Sequence, residues 1–317
     1  MRVAISGASG FVGRALLSRL VQGQLVDGSS ASKPMITPKA IVHRQASADT
    51  LLGKYSDLEV CHVIPGDRGA LRTALTGVDV FVHLAWSSVP RTAAADPALD
   101  LDGNVEQGLH LLEAVASAGV QRMVFISSGG TVYGAASGAP IKEDAPLRPV
   151  NAYAAGKVCF ERYLQAMAMV RGFESVVLRP GNLYGDPLGP TKQQGVVEHW
   201  FQRIAQREPL EAWYGLDVVR DYVHVDDMVD AVLGAIDRPV AQRVFNVGTG
   251  VGTSLVELAA IMRTVAGAEV PVISVGDQRA DLPWNVLDPS AMRASFGFAP
   301  SIALAEGLRR TWSAYRV

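Results

Sequence analysis

Met1-Arg2-Val3-Ala4-Ile5-Ser6-Gly7-Ala8-Ser9-Gly10-Phe11-Val12-Gly13 is the stretch whose reading decides the fold. Val3 to Ser6 predicts a short buried strand. Gly7, Gly10 and Gly13 punctuate a turn, and Ala15, Leu16, Leu17 and Leu20 give an apolar helix pattern after it. Strand, glycine turn and helix in this order suit a dinucleotide. The glycines permit a tight turn and a close approach of backbone to pyrophosphate, while the helix N-terminus offers unpaired N–H groups and the positive end of its dipole. The spacing is Gly-x-x-Gly-x-x-Gly, not the commoner Gly-x-Gly-x-x-Gly, and an ordinary structural turn is the alternative reading.

Outward from this stretch, strand and helix alternate. Strands are predicted over 3–6, 40–43, 58–64, 80–84, 123–127 and 175–178, with helices over 11–22, 71–75, 97–118 and 151–170. Nearly all-apolar strands between amphipathic helices predict an α/β fold with a doubly wound parallel sheet, Rossmann-like, covered on both faces. The polar segment 27–38 reads as a mobile surface loop without chemistry. After Pro180 the rhythm changes. Helices are predicted over 197–205, 227–236, 255–265 and 304–315, the third opened by a Ser254-x-x-Glu257 capping box. Short strands fall at 218–223 and 244–247. This predicts a dinucleotide-binding domain over 1–180 and a smaller, mixed C-terminal substrate-binding lobe over 181–317, with some chain crossing back to the sheet. Such a lobe belongs over the strand ends, where doubly wound folds take their ligands.

The bulk numbers exclude several classes. The chain has 317 residues, 49% of them hydrophobic, which is enough for a large core. A net charge of −2 argues against a nucleic-acid partner. No apolar stretch approaches a membrane span. Met1-Arg2 runs directly into the first strand, so no signal peptide is expected. The two cysteines, Cys61 and Cys159, give no disulfide framework and read as buried structural thiols in a reducing, cytoplasmic setting. No metal is expected.

Two clusters carry chemistry. Tyr153-Ala-Ala-Gly-Lys157 opens a helix, so phenol and ammonium share a face. A nearby cation lowers a phenol's pKa, and such a phenol can take a proton from an alcohol or return it to a carbonyl. The alternative is an ordinary tyrosine beside a solvated lysine. Ser127-Ser128-Gly129-Gly130-Thr131 follows the strand at 123–127 and offers hydroxyls at a carboxyl-end loop. They could instead satisfy only backbone groups.

With these features in chain order, the sequence resembles the extended short-chain dehydrogenase/reductase family, in its nucleotide-sugar epimerase/dehydratase branch. His83-Leu84-Ala85, Asn104, Leu178-Arg179-Pro180-Gly181-Asn182, Val219-Arg220-Asp221-Tyr222-Val223-His224-Val225 and Phe245-Asn246-Val247-Gly248 extend the match through nearly the whole chain. The resemblance implies a nicotinamide cofactor held by Gly7, Gly10, Phe11, Val12 and Gly13, with Arg14, His43, Asp67 and Arg68 toward its adenosine end. Leu84, Ala85, Trp86, Asn104, Ser127 and Pro180 would line it. Lys157 would bond the nicotinamide ribose and acidify Tyr153, which would exchange the proton at a sugar C4 oxygen as hydride leaves or joins C4. Ser87, Asn182, Val196, Glu211, Trp213, Arg220 and Arg279 match positions toward the sugar nucleotide; an arginine fork suits phosphate oxygens. The resemblance also implies a homodimer through the helices beginning near Leu101 and Asn151. Leu109, Leu112, Val115, Phe160, Leu164 and Met167 are compatible with that pairing, and core packing explains them equally.

Three positions depart from the family pattern. The catalytic Ser/Thr falls on Gly129, which leaves Ser128 and Thr131 as substitutes. Arg44 stands where NAD-preferring members end the second strand with an acidic residue; a guanidinium suits a 2′-phosphate, so NADP is expected ahead of NAD. The alternative is a solvent-facing arginine beside an NAD adenine. Arg279 is one residue out of step with an Arg-x-x-Asp diphosphate clamp. The leading expectation is an epimerase-type oxidoreductase acting at C4 of a UDP- or dTDP-linked hexose. The alternatives are an NADPH-dependent 4-keto-6-deoxyhexose reductase and a non-catalytic NADP(H)-binding sensor.

Overall fold

A computed structural model describes residues 1–23, 36–136, 138–185, 195–213, 215–239, 243–275 and 282–315. Residues 24–35, where most of the segment expected as a mobile loop falls, and Arg279 lie outside the described residues. The chain forms two compact units. One comprises Met1–Val132, Pro149–Leu178 and Val232–Val244; the other comprises Tyr133–Arg148, Arg179–Ala231 and Phe245–Val317.

The first unit is built on strands β1 (Arg2–Ser6), β2 (Thr37–Val42), β3 (Glu59–His62), β4 (Val80–His83), β5 (Arg122–Ile126) and β6 (Glu174–Pro180). With β10 (Val244–Val247) at one edge, the seven-stranded sheet runs β10-β6-β5-β4-β1-β2-β3. The pairs β1–β2, β2–β3, β1–β4, β4–β5 and β5–β6 are all parallel. The order reverses between β1 and β4, which is the switch point of a doubly wound sheet and the place where such folds bind ligands. The central strands are apolar on both faces, and Val3, Ala4, Ile5, Phe81, Val82 and Met123 through Phe125 are fully buried. The edge strand β3 is half-exposed, and its Glu59 pairs with Lys39 of β2 at 2.8 Å.

Helices α1 (Phe11–Val21), α2 (Gln45–Lys54), α3 (Arg68–Leu75), α4 (Pro90–Ala95), α5 (Pro97–Asp100), α6 (Gln107–Ser117) and α7 (Ala152–Arg171) belong to this unit. Two of them, α2 and α4, were not expected, because only Ala48 and Leu51 of α2 and Ala93 of α4 are buried and the apolar signal is thin. The helix expected over 97–118 is instead interrupted by a π-helical turn over Leu101–Glu106. The strand expected from Ala40 begins at Thr37, inside the segment read as loop. Asn151 caps α7 by accepting the Ala154 N–H at 2.8 Å, and Gly172 ends it with φ +77°. Leu112, Val115, Phe160 and Leu164 lie in the core, with Leu109 and Met167 packed against it, so the unit's own core accounts for that apolar surplus. Cys61 and Cys159 are free and half-buried, more open than expected.

In the second unit, β7 (Asn182–Tyr184), β9 (Val219–His224), β11 (Gly252–Ser254) and β13 (Trp284–Asn285) form a mixed four-stranded sheet around β9. β8 (Leu210–Ala212) pairs with β12 (Val272–Ser274). Helices α8 (Val196–Gln206), α9 (Val225–Asp237), α10 (Leu255–Ala266), α11 (Ser290–Phe296) and α12 (Leu304–Ser313) complete the chain. The Ser254–Glu257 capping box is present as read from the sequence. Asp221 is a buried hub: its carboxylate accepts from the Thr249 N–H at 2.9 Å and hydroxyl at 2.6 Å, and from the Gly250 and Leu287 N–H groups, each at 3.2 Å.

Candidate active site

The carboxyl ends of β1, β4 and β5 lie side by side, and the glycine turn, the loop after β4 and the loop after β5 leave from them. Gly7 leaves β1 with φ +70°, and a Cβ there would lie 2.6 Å from the Ala85 nitrogen. A Cβ on Gly13 would lie 2.3 Å from the Gly7 carbonyl oxygen. These contacts explain why the turn needs glycine at both positions. The Gly10 N–H closes the turn on Gly7 O at 2.9 Å. Helix α1 then starts with neither a side-chain cap nor an acidic residue in its first turn, so Phe11 and Val12 open an N-terminus suited to an anion. Arg14 donates to the Ser9 carbonyl at 2.9 Å, beside this turn.

The residues expected at the adenosine end are less uniform. His43 Nδ1 is 2.9 Å from Val63 O. Arg44 is exposed, and its guanidinium makes no hydrogen bond or ion pair among the described residues. Asp67 caps α3, accepting from the Ala70 N–H at 2.9 Å, so one of its oxygens already has a helix-capping role. Arg68 reaches His110 Nε2 at 2.8 Å.

After β4, the Leu84 N–H donates to Ser6 O at 3.2 Å, and Ser6 Oγ bonds His83 Nδ1 at 2.7 Å. Burial, reinforced by the Lys157 charge, pushes the His83 imidazole down to about 3, so it is neutral. Asn104 sits buried in the π-helical turn and clamps the loop after β4. Its carbonyl accepts from the Ser87 N–H at 2.7 Å and the Ser87 hydroxyl at 3.1 Å, and its amide donates to Asp100 Oδ1 at 2.8 Å.

Tyr153 and Lys157 share a face of α7. The Lys157 ammonium is buried, donates to Ile126 O at 2.8 Å, and lies 4.0 Å over the Trp86 ring and 5.7 Å from the Tyr153 ring centroid. Trp86 meets Tyr153 edge to face, with centroids 6.4 Å apart. Desolvation brings Lys157 down to about 7, opposed by the carboxylates of Glu161 and Asp100. The expectation that Lys157 sharpens the phenol meets a stronger opposing effect: burial, then the charge of Asp100, push Tyr153 up to about 12. Asp100 had no part in the sequence reading. Within Leu99-Asp100-Leu101-Asp102 it looks like the polar half of an amphipathic alternation, yet it is buried.

Beyond β5, Ser127 is buried, and its hydroxyl has no partner among the described residues. Thr131 Oγ1 donates to Ser128 Oγ at 3.1 Å, so the two substitute hydroxyls for Gly129 sit together. An uncapped helix N-terminus, a glycine-bounded cradle, a buried cation and a buried unpartnered hydroxyl fit a nicotinamide dinucleotide.

In the second unit, Asn182 pairs in register with Tyr222, and Arg220 lies two residues earlier on the same face of β9. Arg220 is buried and donates to Val219 O at 2.8 Å. Glu211 is held by Arg203 at 3.0 Å, Trp213 beyond it is exposed, and Val196 begins α8. Pro180 ends β6, buried.

A model of the NAD dependent epimerase/dehydratase family matches residues 3–248. The UDP-glucose 4-epimerase of Mycolicibacterium smegmatis is 32% identical over all of this chain and 99% of its own length. The dTDP-4-dehydro-6-deoxyglucose reductase of Escherichia coli is 26% identical over 96% of this chain and 95% of its own. Among solved structures, the UDP-glucose 4-epimerase of Thermus thermophilus in complex with NAD superposes with a TM-score of 0.86 at 28% identity, covering 100% of this chain and 99% of that one.

Proposed function

The chain belongs to the NAD dependent epimerase/dehydratase family, and from that premise we propose that this enzyme exchanges hydride at C4 of a nucleoside-diphosphate hexose, in the manner of an epimerase, with Tyr153 as acid and base. One observation carries the reading. Tyr153 and Lys157 stand on one face of α7, with Lys157 anchored on the carboxyl end of β5, in the same unit and at the same end of the parallel strands as the glycine turn.

The cradle of Gly7, Gly10 and Gly13 with the Phe11 and Val12 N–H groups would hold the pyrophosphate of the cofactor, and Lys157 and Ser127 would hold its nicotinamide half. When bound, the dinucleotide supplies the acceptor and donor of hydride. Tyr153 moves the proton at its phenolic oxygen; Lys157 compensates the negative charge on that oxygen while the proton is away. Trp86 covers Lys157 and keeps water from it. Ser128 and Thr131 orient the sugar oxygen in place of the hydroxyl missing at Gly129. Asn182, Val196, Glu211, Trp213, Arg220, Arg279 and Ser87 are the proposed sugar-nucleotide contacts, with UDP or dTDP as carrier. Arg44, exposed and without a hydrogen bond or ion pair among the described residues, favours NADP over NAD. Two free thiols fit a reducing, cytoplasmic setting. A homodimer through the helices beginning near Leu101 and Asn151 is part of the reading, and Tyr163, Met169 and Val170 are exposed on the second of them.

A 4-keto reductase is the second reading, favoured by Arg44 and by Gly129. A silent NADP(H)-binding relative is disfavoured because both Tyr153 and Lys157 are present. The deciding experiment supplies purified enzyme with UDP-glucose or with a dTDP-4-keto-6-deoxyhexose plus NADPH. Redox-neutral formation of the 4-epimer supports the epimerase reading. Stoichiometric NADPH consumption with the keto sugar alone replaces it with the reductase, and neither activity overturns both.

A further inference from the structure

The Lys157 ammonium is boxed by rings. It lies 4.0 Å from the centroid of Trp86, 4.8 Å from that of Phe125 and 5.7 Å from that of Tyr153, all within reach of a cation–π contact. An ammonium has three donors, and among the described residues only the Ile126 carbonyl accepts from this one, at 2.8 Å. Trp86 is held in turn by Phe125 and Phe160, with ring centroids 5.9 and 6.2 Å away. Its Nε1–H is buried and has no partner among the described residues, so packing and the cation orient the indole, not a hydrogen bond. Gly156, the residue before Lys157, makes the room: a Cβ there would lie 3.3 Å from Trp86 Cζ2.

We propose that Trp86 is a positioning residue whose indole face, admitted by Gly156, holds the Lys157 ammonium on the Ile126 carbonyl beside Tyr153. The proposal rests on the reading of Lys157 as the cation that serves Tyr153, and adds what keeps that cation in place. Burial strips water from the ammonium, and a ring face restores part of the lost stabilisation without bringing water or a further carboxylate into the pocket. Only the charged form benefits, since a neutral amine gains little from the ring quadrupole. The other groups that act on Lys157 are the carboxylates of Glu161 on α7 and Asp100 on α5. Tyr153, pushed up to about 12, keeps its proton through neutral pH, and His83 at the end of β4 is neutral. All of these stay the same when the indole face alone is altered.

The test changes the face and keeps the shape. Tryptophan analogues with one, two or three ring fluorines, inserted at position 86 alone, draw electron density from the indole at nearly constant size. Lys157 is followed by NMR titration of protein carrying labelled lysine, assigned with the Lys157→Met spectrum. Each fluorine is expected to lower the Lys157 midpoint, by about one pH unit across the series, and to carry the alkaline limb of the activity profile with it. The same analogues at Trp312, in the second unit, are expected to leave the midpoint unchanged. A midpoint that stays put or rises as fluorines are added at position 86 overturns the proposal and leaves Trp86 a space-filling side chain. An equal shift from Trp312 overturns it too. Full activity in Tyr153→Phe would sink the acid–base reading instead, and the lysine titration would still judge Trp86.

Discussion

The ammonium of Lys157 donates to the carbonyl oxygen of Ile126 at 2.8 Å, which plants a buried cation on the carboxyl end of a central strand. Its burial is costly, and its partners only partly offset the loss of water. That cost brings the ammonium's pKa down from the ordinary 10.5 to about 7.

Lys157 therefore ties stability to pH. Between about pH 7 and 10.5 the unfolded chain holds a proton that the folded chain has released, so stability rises with pH across that window. Below it, both states are protonated and the folded state bears the whole penalty. Lys157→Met is expected to be more stable than the parent at pH 7 and to flatten the rise. Thermal denaturation at a series of pH values checks both. A parent whose melting temperature falls from pH 7 to 9 while the variant's does not would contradict this.

The space around two glycines predicts opposite signs for their replacement by alanine. Gly13→Ala sets a Cβ 2.3 Å from the Gly7 carbonyl and should destabilise by about 1–3 kcal/mol. Gly53→Ala, in α2 with open space around it, should stabilise by about 0.5–1 kcal/mol. Urea denaturation reads both, and equal signs would refute the packing argument.

Arg44 should decide the cofactor. Its replacement by alanine is expected to weaken NADP(H) by about tenfold or more while leaving NAD(H) nearly unchanged. Fluorescence titration of both dinucleotides against parent and variant measures it. Equal losses for the two would remove the 2′-phosphate assignment.

Asp221 should prove structural. Asp221→Ala leaves three backbone donors and the Thr249 hydroxyl without their acceptor, at an expected cost of about 3 kcal/mol or more. A loss of less than about 1 kcal/mol by chemical denaturation would show that water or other groups replace it.

Much of this was legible in the sequence, for identifiable reasons. Nearly all-apolar strands such as Val80–His83 and the glycines of the first turn leave few alternatives, and the Ser254–Glu257 box marked its helix start. The π-helical turn at Leu101–Glu106 was not legible, since an extra residue in a helix leaves no compositional trace. Asp100 was missed for the same reason: its burial depends on that turn and on the gap at Gly156. The resting state of Tyr153 was also out of reach, because adjacency of phenol and ammonium is a sequence property and desolvation is not.

The central claim is that Tyr153 exchanges a proton at the sugar C4 oxygen while hydride leaves and returns to C4. The direct measurement is turnover of UDP-glucose deuterated at C4 by parent and Tyr153→Phe enzymes supplied with cofactor. The account predicts a 4-epimer that retains the label in the parent, and a rate lower by about a hundredfold or more in the variant. Washout of the label to water, or a variant as fast as the parent, would contradict it.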